Sequence, residues 1–173
     1  MAVERPAAVT LRGKPFTLVG PELRVGDKAP DFVALDNDLS EVTLATDKGK
    51  IRLFLSVPSL DTPVCDAETR RFNTEATSLP ENVVIYTISC DLPFAQKRWC
   101  GAADVHNVKT LSDHRDLSFG QAYGTYIKEL RLLSRAVFLV DANDTLRYVE
   151  YVPEVSDHPN YDKILEAVRN LAS

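Results

Sequence analysis

The chain has 173 residues, a net charge of −5 and a pI of about 5.2, which is enough length to bury a core without covalent staples. Hydrophobic residues make up 45% and charged residues 26%, an ordinary globular balance. The acidic charge and the lack of a basic cluster with interleaved aromatics argue against a nucleic-acid partner. No apolar run approaches the roughly 18 residues of a membrane span. The first ten residues carry a Glu and a Pro where a secretory signal needs a cationic start and an apolar stretch. The expected compartment is the cytoplasm, where a disulfide is transient and catalytic. The three cysteines are an odd number and do not suit a structural disulfide framework.

In chain order, residues 9–19 read as two short strands around Arg12-Gly13-Lys14-Pro15, an N-terminal β-hairpin. A short strand is expected at Val42 to Leu44, and a stronger one at Ile51 to Val57, closed by Pro58. Thr62 suits a helix N-cap and Pro63 the first helical position, where its missing N–H is not needed. That helix is expected to reach about Leu79, with Cys65, Phe72, Ala76 and Leu79 on one face. Val83 to Ser89 is an apolar, β-rich run that reads as a buried strand. A second helix follows, capped by Asp91 and stopped at Gly101 just beyond Cys100. Leu117 to Tyr123 suggests another helical segment. Ala136 to Val140 and Leu146 to Val152 read as strands joined by a turn at residues 141–145. Tyr161, Ile164, Leu165, Val168 and Leu171 form the apolar stripe of a last helix. Strands and helices that alternate, then a hairpin and a helix, give an α/β sandwich with a mixed central sheet flanked by helices, in one domain over 1–173. A thioredoxin-like fold with an N-terminal β-hairpin is one such arrangement.

The chemistry centres on cysteine. A thiolate is the nucleophilic form, and a helix N-terminus stabilises it through unsatisfied N–H groups and the helix dipole. Cys65 falls at about the third helical position, where that effect is largest. By position alone, a reactive thiol and a buried inert one are equally open readings.

The stretch Pro58-Ser-Leu-Asp-Thr62-Pro-Val-Cys65 resembles the active-site pattern of the peroxiredoxins: a Pro, then a Thr three residues before the reactive Cys, after a buried strand. The segments 61–65 and 91–102 look like those of the bacterial thiol peroxidases, the atypical two-cysteine subfamily, and the likeness extends over nearly the whole chain. The resemblance implies a thioredoxin-like fold, a homodimer, hydrogen peroxide and organic hydroperoxides as substrates, and thioredoxin as reductant. Carried over by residue, Cys65 becomes the peroxidatic cysteine and Cys100 the resolving one, joined in a transient disulfide. Thr62 hydrogen-bonds the peroxide and thiolate, Pro58 shields the pocket, and Arg135 supplies the active-site guanidinium. Such donors stabilise charge on the departing oxygen, and the sulfenic acid condenses with a second thiol. Neither a cofactor nor a metal is called for.

Each assignment has a plainer counterpart. Thr62 serves equally as an N-cap, Pro58 as a strand terminator, and an isolated arginine such as Arg135 is usually solvent-facing. Cys90 matches neither catalytic position and reads as a mostly buried structural thiol. Spacing alone does not choose between a 65–100 and a 90–100 pairing; only the family likeness favours the former. A zinc site from the cysteines and His106 lacks C-x-x-C or H-x₃₋₅-H spacing. Trp99 and Phe94 read as core residues of the second helix. A redox sensor or holdase on the same fold, with Cys65–Cys100 as its switch, is the alternative to an enzyme.

Overall fold

The computed structural model describes residues 3–173. The N-terminal hairpin is present: β1 (Glu4–Leu11) and β2 (Lys14–Val19) pair antiparallel. Its turn is Arg12-Gly13, both with positive φ (52° and 80°), the geometry that a tight two-residue hairpin turn requires. Two short strands follow, β3 (Val33–Leu35) and β4 (Glu41–Thr43), and then β5 (Ile51–Ser56). Helix α1 (Pro63–Ala76) leads to β6 (Val83–Ser89), helix α2 (Pro93–Ala103) and β7 (Lys109–Ser112). A short helix α3 (Ser118–Tyr123) precedes the two-residue strands β8 (Tyr126–Ile127) and β9 (Leu132–Leu133). The chain closes with β10 (Ala136–Val140), β11 (Leu146–Tyr151) and helix α4 (Tyr161–Ala172).

The main sheet has seven strands in the order β11-β10-β5-β6-β7-β3-β4. Its centre, β5-β6-β7, is parallel, and the β10 and β3 neighbours run antiparallel. The hairpin belongs to a second, four-stranded sheet, β1-β2-β8-β9. This is the mixed α/β arrangement that the alternation of elements implies.

Because side chains alternate along a strand, the central strands feed two cores. Ile51, Leu53 and Leu55 pack with Phe72 of α1 and with Ile164, Leu165 and Val168 of α4. Phe54 turns to the opposite face, where Phe32, Phe119, Tyr123 and Phe138 form an aromatic cluster. Phe119 and Tyr123 stack at 4.3 Å between centroids, so α3 is held by its rings. A buried Arg52 pins the edge of this core, donating to the carbonyls of Lys50, Leu44 and Asp141 and to the Asp144 carboxylate.

Three expectations are corrected. Helix α2 does not stop at Gly101 but runs to Ala103. A Cβ at Gly101 would meet nothing, so that position faces open space, and Ala102 and Ala103 carry the helix on. Asp104 takes the left-handed cap (φ 57°), and the Val105 N–H closes on the Cys100 carbonyl at 3.0 Å. The N-cap of α2 is Leu92, not Asp91. Helix α1 ends at Ala76, not Leu79; Thr77, Ser78 and Leu79 continue as turns closed on Thr74, Glu75 and Ala76. No helix among the described residues is long and apolar enough to cross a membrane.

Candidate active site

Strand β5 ends at Ser56, and the chain turns through Val57 to Asp61 into α1. Thr62 stands at the N-cap and Pro63 opens the helix, which puts Cys65 in the first turn. The Asp66 N–H closes onto the Thr62 carbonyl at 3.0 Å. The N–H groups of Val64 and Cys65, two and one residues earlier, lie before the intrahelical ladder begins. They and the helix dipole supply positive potential at the thiol.

Cys65 is fully buried. Arg135, on the residue before β10, reaches it from the neighbouring sheet: its Nη2 donates to Cys65 Sγ at 3.0 Å. The same guanidinium donates through Nη1 to Glu68 Oε1 at 2.9 Å and through Nε to the Val155 carbonyl at 2.9 Å. Arg135 is 1% exposed, Glu68 and Cys65 0%. Burial opposes the charge on Arg135, but the Glu68 carboxylate and the Cys65 sulfur more than offset it and hold the guanidinium firmly cationic. Burial pushes the Glu68 carboxyl up to about 7, against the pull of Arg135. The solvent-facing reading of Arg135 is thereby overturned. A charge is tolerated at that depth because Glu68, the Cys65 sulfur and a carbonyl meet it.

Thr62 and Pro58 line a cavity of about 440 Å³ together with Pro63, Val64 and Arg135. The Thr62 hydroxyl donates to the Ser59 carbonyl at 3.0 Å and makes no side-chain cap to the helix. With its proton committed there, its oxygen is left as an acceptor toward the cavity. The far wall is built by the hairpin and the second sheet: Leu11, Phe16, Ile127, Leu130 and Leu132. That wall is strapped to the site, because Thr10 N–H donates to Pro153 O and Val155 N–H to Thr10 O, each at 2.8 Å. Val155 is the residue whose carbonyl holds Arg135.

Cys100 lies elsewhere. On α2, its Sγ is 3.7 Å from Thr110 Oγ1, and Thr110 donates to Asn37 Oδ1 at 2.8 Å. It opens on a different cavity, lined by Asn37, Asp38, Lys97 and Lys109 among others. Burial pushes the Cys100 thiol up, and the Thr110 and Asn37 hydrogen bonds moderate this. All three cysteines are free thiols. Cys90 is half-buried against the aromatic core, and burial followed by the Asp113 and Asp91 charges pushes its thiol up to about 12. Of the five residues singled out by the sequence, four converge on one site, and Cys100 stands apart from it. Of the aromatics on α2, Trp99 packs against the core while Phe94 is 67% exposed, against expectation.

Two site residues escaped sequence reasoning. Glu68 falls one helical turn after Cys65, and that i, i+3 spacing was the available signal. Asp91 braces the active-site loop: its carboxylate accepts from Ser59 Oγ (2.7 Å), Leu60 N–H (2.8 Å) and Ser89 Oγ (2.7 Å).

A thiol in the first turn of a helix, held by a buried arginine on a thioredoxin-like sheet, defines a class. The sequence profile of the redoxin family matches residues 24–165, and the chain belongs to that family. Its relatives place it more narrowly, among the thiol peroxidases of the peroxiredoxin group. It is 60% identical to a thiol peroxidase of Halalkalibacterium halodurans over 163 residues, covering 94% of this chain and 98% of the relative. It is 58% identical to the thiol peroxidase of Bacillus subtilis, with 95% and 98% coverage. The crystal structure of a peroxiredoxin-like protein from Aquifex aeolicus superposes with a TM-score of 0.89 at 42% identity, covering 96% of this chain and 99% of that one.

Proposed function

We propose that this thiol-dependent peroxidase works through Cys65 as the peroxidatic cysteine, with Arg135, Thr62 and Pro58 forming the pocket and Cys100 resolving. The observation that carries the reading is the 3.0 Å contact from Arg135 Nη2 to the buried Cys65 Sγ at the start of α1. The thiolate attacks one oxygen of a hydroperoxide, the O–O bond breaks, and sulfur takes the hydroxyl as a sulfenic acid. The other oxygen leaves with the electron pair, next to the guanidinium and the first-turn N–H groups, and becomes an alcohol or water on gaining a proton. Donors fixed before the reaction stabilise that charge without reorganisation. Thr62 accepts a hydrogen bond from the hydroperoxide O–H and so aims it at sulfur. Pro58 closes the pocket against solvent.

The sulfenic acid then condenses with the Cys100 thiol, releasing water and forming a disulfide. A dithiol reductant returns both cysteines to the thiol form, and thioredoxin is the partner we assign. We further assign a single domain over the whole chain, a homodimeric assembly and a cytoplasmic setting, where such a disulfide is reduced in each cycle. The apolar cavity wall suits organic hydroperoxides as well as hydrogen peroxide. A sensor or holdase role is not favoured, because relatives at 54–60% identity all carry an enzyme's name.

Continuous peroxide consumption with thioredoxin, its reductase and NADPH tests the reading. Many turnovers per protein are expected. A single turnover with thioredoxin, together with sustained turnover on another dithiol, would reject thioredoxin alone. A single turnover with every dithiol would reject the catalytic cycle.

A further inference from the structure

We propose that Cys65 and Glu68 hold one proton between them across Arg135, so that Cys65 is oxidised without drawing a proton from solvent. The inference rests on Cys65 being the nucleophile. It assigns Glu68 a positioning role of a particular kind, as the proton store of the site.

The geometry is that of three groups and one positive charge. Arg135 donates to Cys65 Sγ at 3.0 Å and to Glu68 Oε1 at 2.9 Å, and none of the three residues is more than 1% exposed. One guanidinium neutralises one anion. A second buried anion at the same place would have no counter-charge, and in a low-dielectric interior that is a heavy cost. Glu68 Oε2 reinforces the point, since it is buried and has no hydrogen-bond partner among the described residues. An ionised carboxylate with one oxygen bare is poorly supported, whereas a carboxylic acid with its proton on Oε2 leaves a neutral group unsatisfied, a smaller cost than a bare buried charge.

Among the described residues, Arg135 is the one cation bonded to Glu68 or Cys65. From β11, Glu150 adds negative potential that opposes ionisation of Glu68. From α4, the Tyr161 hydroxyl feels the charges of Glu68, Arg135 and Cys65 and lies 2.7 Å from His158 Nδ1. Arg71 of α1 lies over the Tyr161 ring at 5.0 Å, and its Nε is engaged by Glu75 Oε1 at 3.3 Å. Burial, ahead of the opposing pull of Arg135, pushes the Glu68 carboxyl up to about 7. When two such groups face each other, their protons belong to the pair.

The oxidation step then balances internally. Cys65 thiolate, Glu68 carboxylic acid and ROOH become Cys65 sulfenic acid, Glu68 carboxylate and ROH. The S–O bond forms, the O–O bond breaks, sulfur loses two electrons and the peroxide gains them. The proton that Glu68 releases equals the one that the departing alkoxide takes. Once sulfur is neutral, Arg135 has only Glu68 to pair with, and the carboxylate ionises against it.

The test counts protons. A Cys90→Ser/Cys100→Ser protein stops at the sulfenic acid on Cys65. It is mixed with hydrogen peroxide in weakly buffered indicator dye at about pH 8, while thiolate absorbance is followed. The Glu68 value of about 7 arises from burial, Arg135 and Glu150 without the Cys65 charge. At this pH Glu68 therefore ionises once sulfur is neutral, whereas the thiolate beside it keeps the pair's one proton in place beforehand. With Glu68 intact, loss of the thiolate is expected to take up close to zero protons. With Glu68→Gln added, uptake is expected to rise to about one proton per thiolate lost. Equal uptake in the two proteins, whether none or one, overturns the proposal. Absence of a trappable sulfenic acid on Cys65 would instead reject Cys65 as nucleophile. Should Glu68→Gln fail to fold, infrared difference spectra of the Glu68-intact protein decide. A carboxylic-acid carbonyl band present in the reduced form and lost on oxidation is expected, and its absence from the reduced form overturns the proposal.

Discussion

Arg135 and Cys65 are 70 positions apart in the chain and 3.0 Å apart in space. The contact ties the start of β10 to the first turn of α1, and the Val155 carbonyl fixes the arginine from its other side. Replacing Arg135 by Met keeps much of the side chain's bulk and removes its donors. Loss of a donor aimed at developing charge typically costs on the order of 100-fold or more in rate. Stopped-flow oxidation of Arg135→Met should fall by that order, and Thr62→Val should lose less, because its hydroxyl acts as an aligning acceptor. A near-normal rate in Arg135→Met would reduce the contact to a packing role.

The three cysteines should separate by function. Cys65→Ser is expected to abolish peroxide consumption. Cys100→Ser should react once and stop at a sulfenic acid on Cys65 that a dimedone reagent traps. Cys90→Ser should turn over close to the parent. A dead Cys90→Ser beside an active Cys100→Ser would transfer the resolving role to Cys90.

Cys90 also yields a pH prediction. A thiol that burial and the Asp113 and Asp91 charges push up to about 12 is reactive only as its thiolate, which at about pH 8 is roughly one part in ten thousand. In a Cys65→Ser/Cys100→Ser protein, the iodoacetamide capture rate should therefore climb steadily from about pH 8 to about 11 without a plateau. A plateau near the ordinary thiol range of about 8.5 would mean that Cys90 is not held in this environment.

The legible parts of the fold are those in which local signals agree. The stripe of α4, the apolar run of β6 and the Arg12-Gly13 turn each combine pattern with turn chemistry. Strand β7 was missed because it has only four residues, Lys109–Ser112, three of them polar; its pairing with β6 and the packing of Leu111 hold it in place. The same limit hid Glu68 and the depth of Arg135. Each alone reads as a surface charge, and only the tertiary pairing of the two permits burial. Asp91 looked like a helix cap because its neighbours are Leu92 and Pro93, whereas its carboxylate acts on the loop at Ser59 and Leu60.

That bracing carries its own prediction. Asp91→Ala leaves the Ser59 hydroxyl and the Leu60 N–H without their acceptor, at a typical cost of about 1–3 kcal/mol for each buried group left unsatisfied. The Tm should fall, and peroxide oxidation of Cys65 should slow even though Asp91 does not line the pocket. Asp91→Asn keeps an acceptor oxygen and should restore part of both. A variant of unchanged Tm and rate would show that the loop holds its shape unaided.

The last prediction follows from the separation of the two sulfurs. Cys65 is engaged with Arg135, while Cys100 contacts Thr110 and opens on another cavity. A disulfide needs Cα atoms roughly 4.4–6.8 Å apart, so a 65–100 bond requires one or both helices to give way. Helix α2 is the better candidate. It is docked on α1 by Trp99 Nε1 donating to Asp66 Oδ2 at 3.1 Å and by Arg70 over the Trp99 ring at 5.7 Å. Beneath it, Gln96 is the main polar anchor, donating to Leu111 O at 2.8 Å and to Ser89 Oγ at 3.0 Å. Of the eleven residues of this helix only Pro93 and Gln96 are buried, and elements that bury little apolar surface open at low cost. Oxidation should therefore lower hydrogen-exchange protection over 93–103, with the first turn of α1 affected less. Trp99→Ala should weaken the docking, lower α2 protection in the reduced form and speed conversion of sulfenic acid to disulfide, leaving the peroxide step little changed. Should the 65–100 disulfide form while protection over 93–103 stays as in the reduced protein, the rearrangement lies elsewhere and α2 is not the moving part.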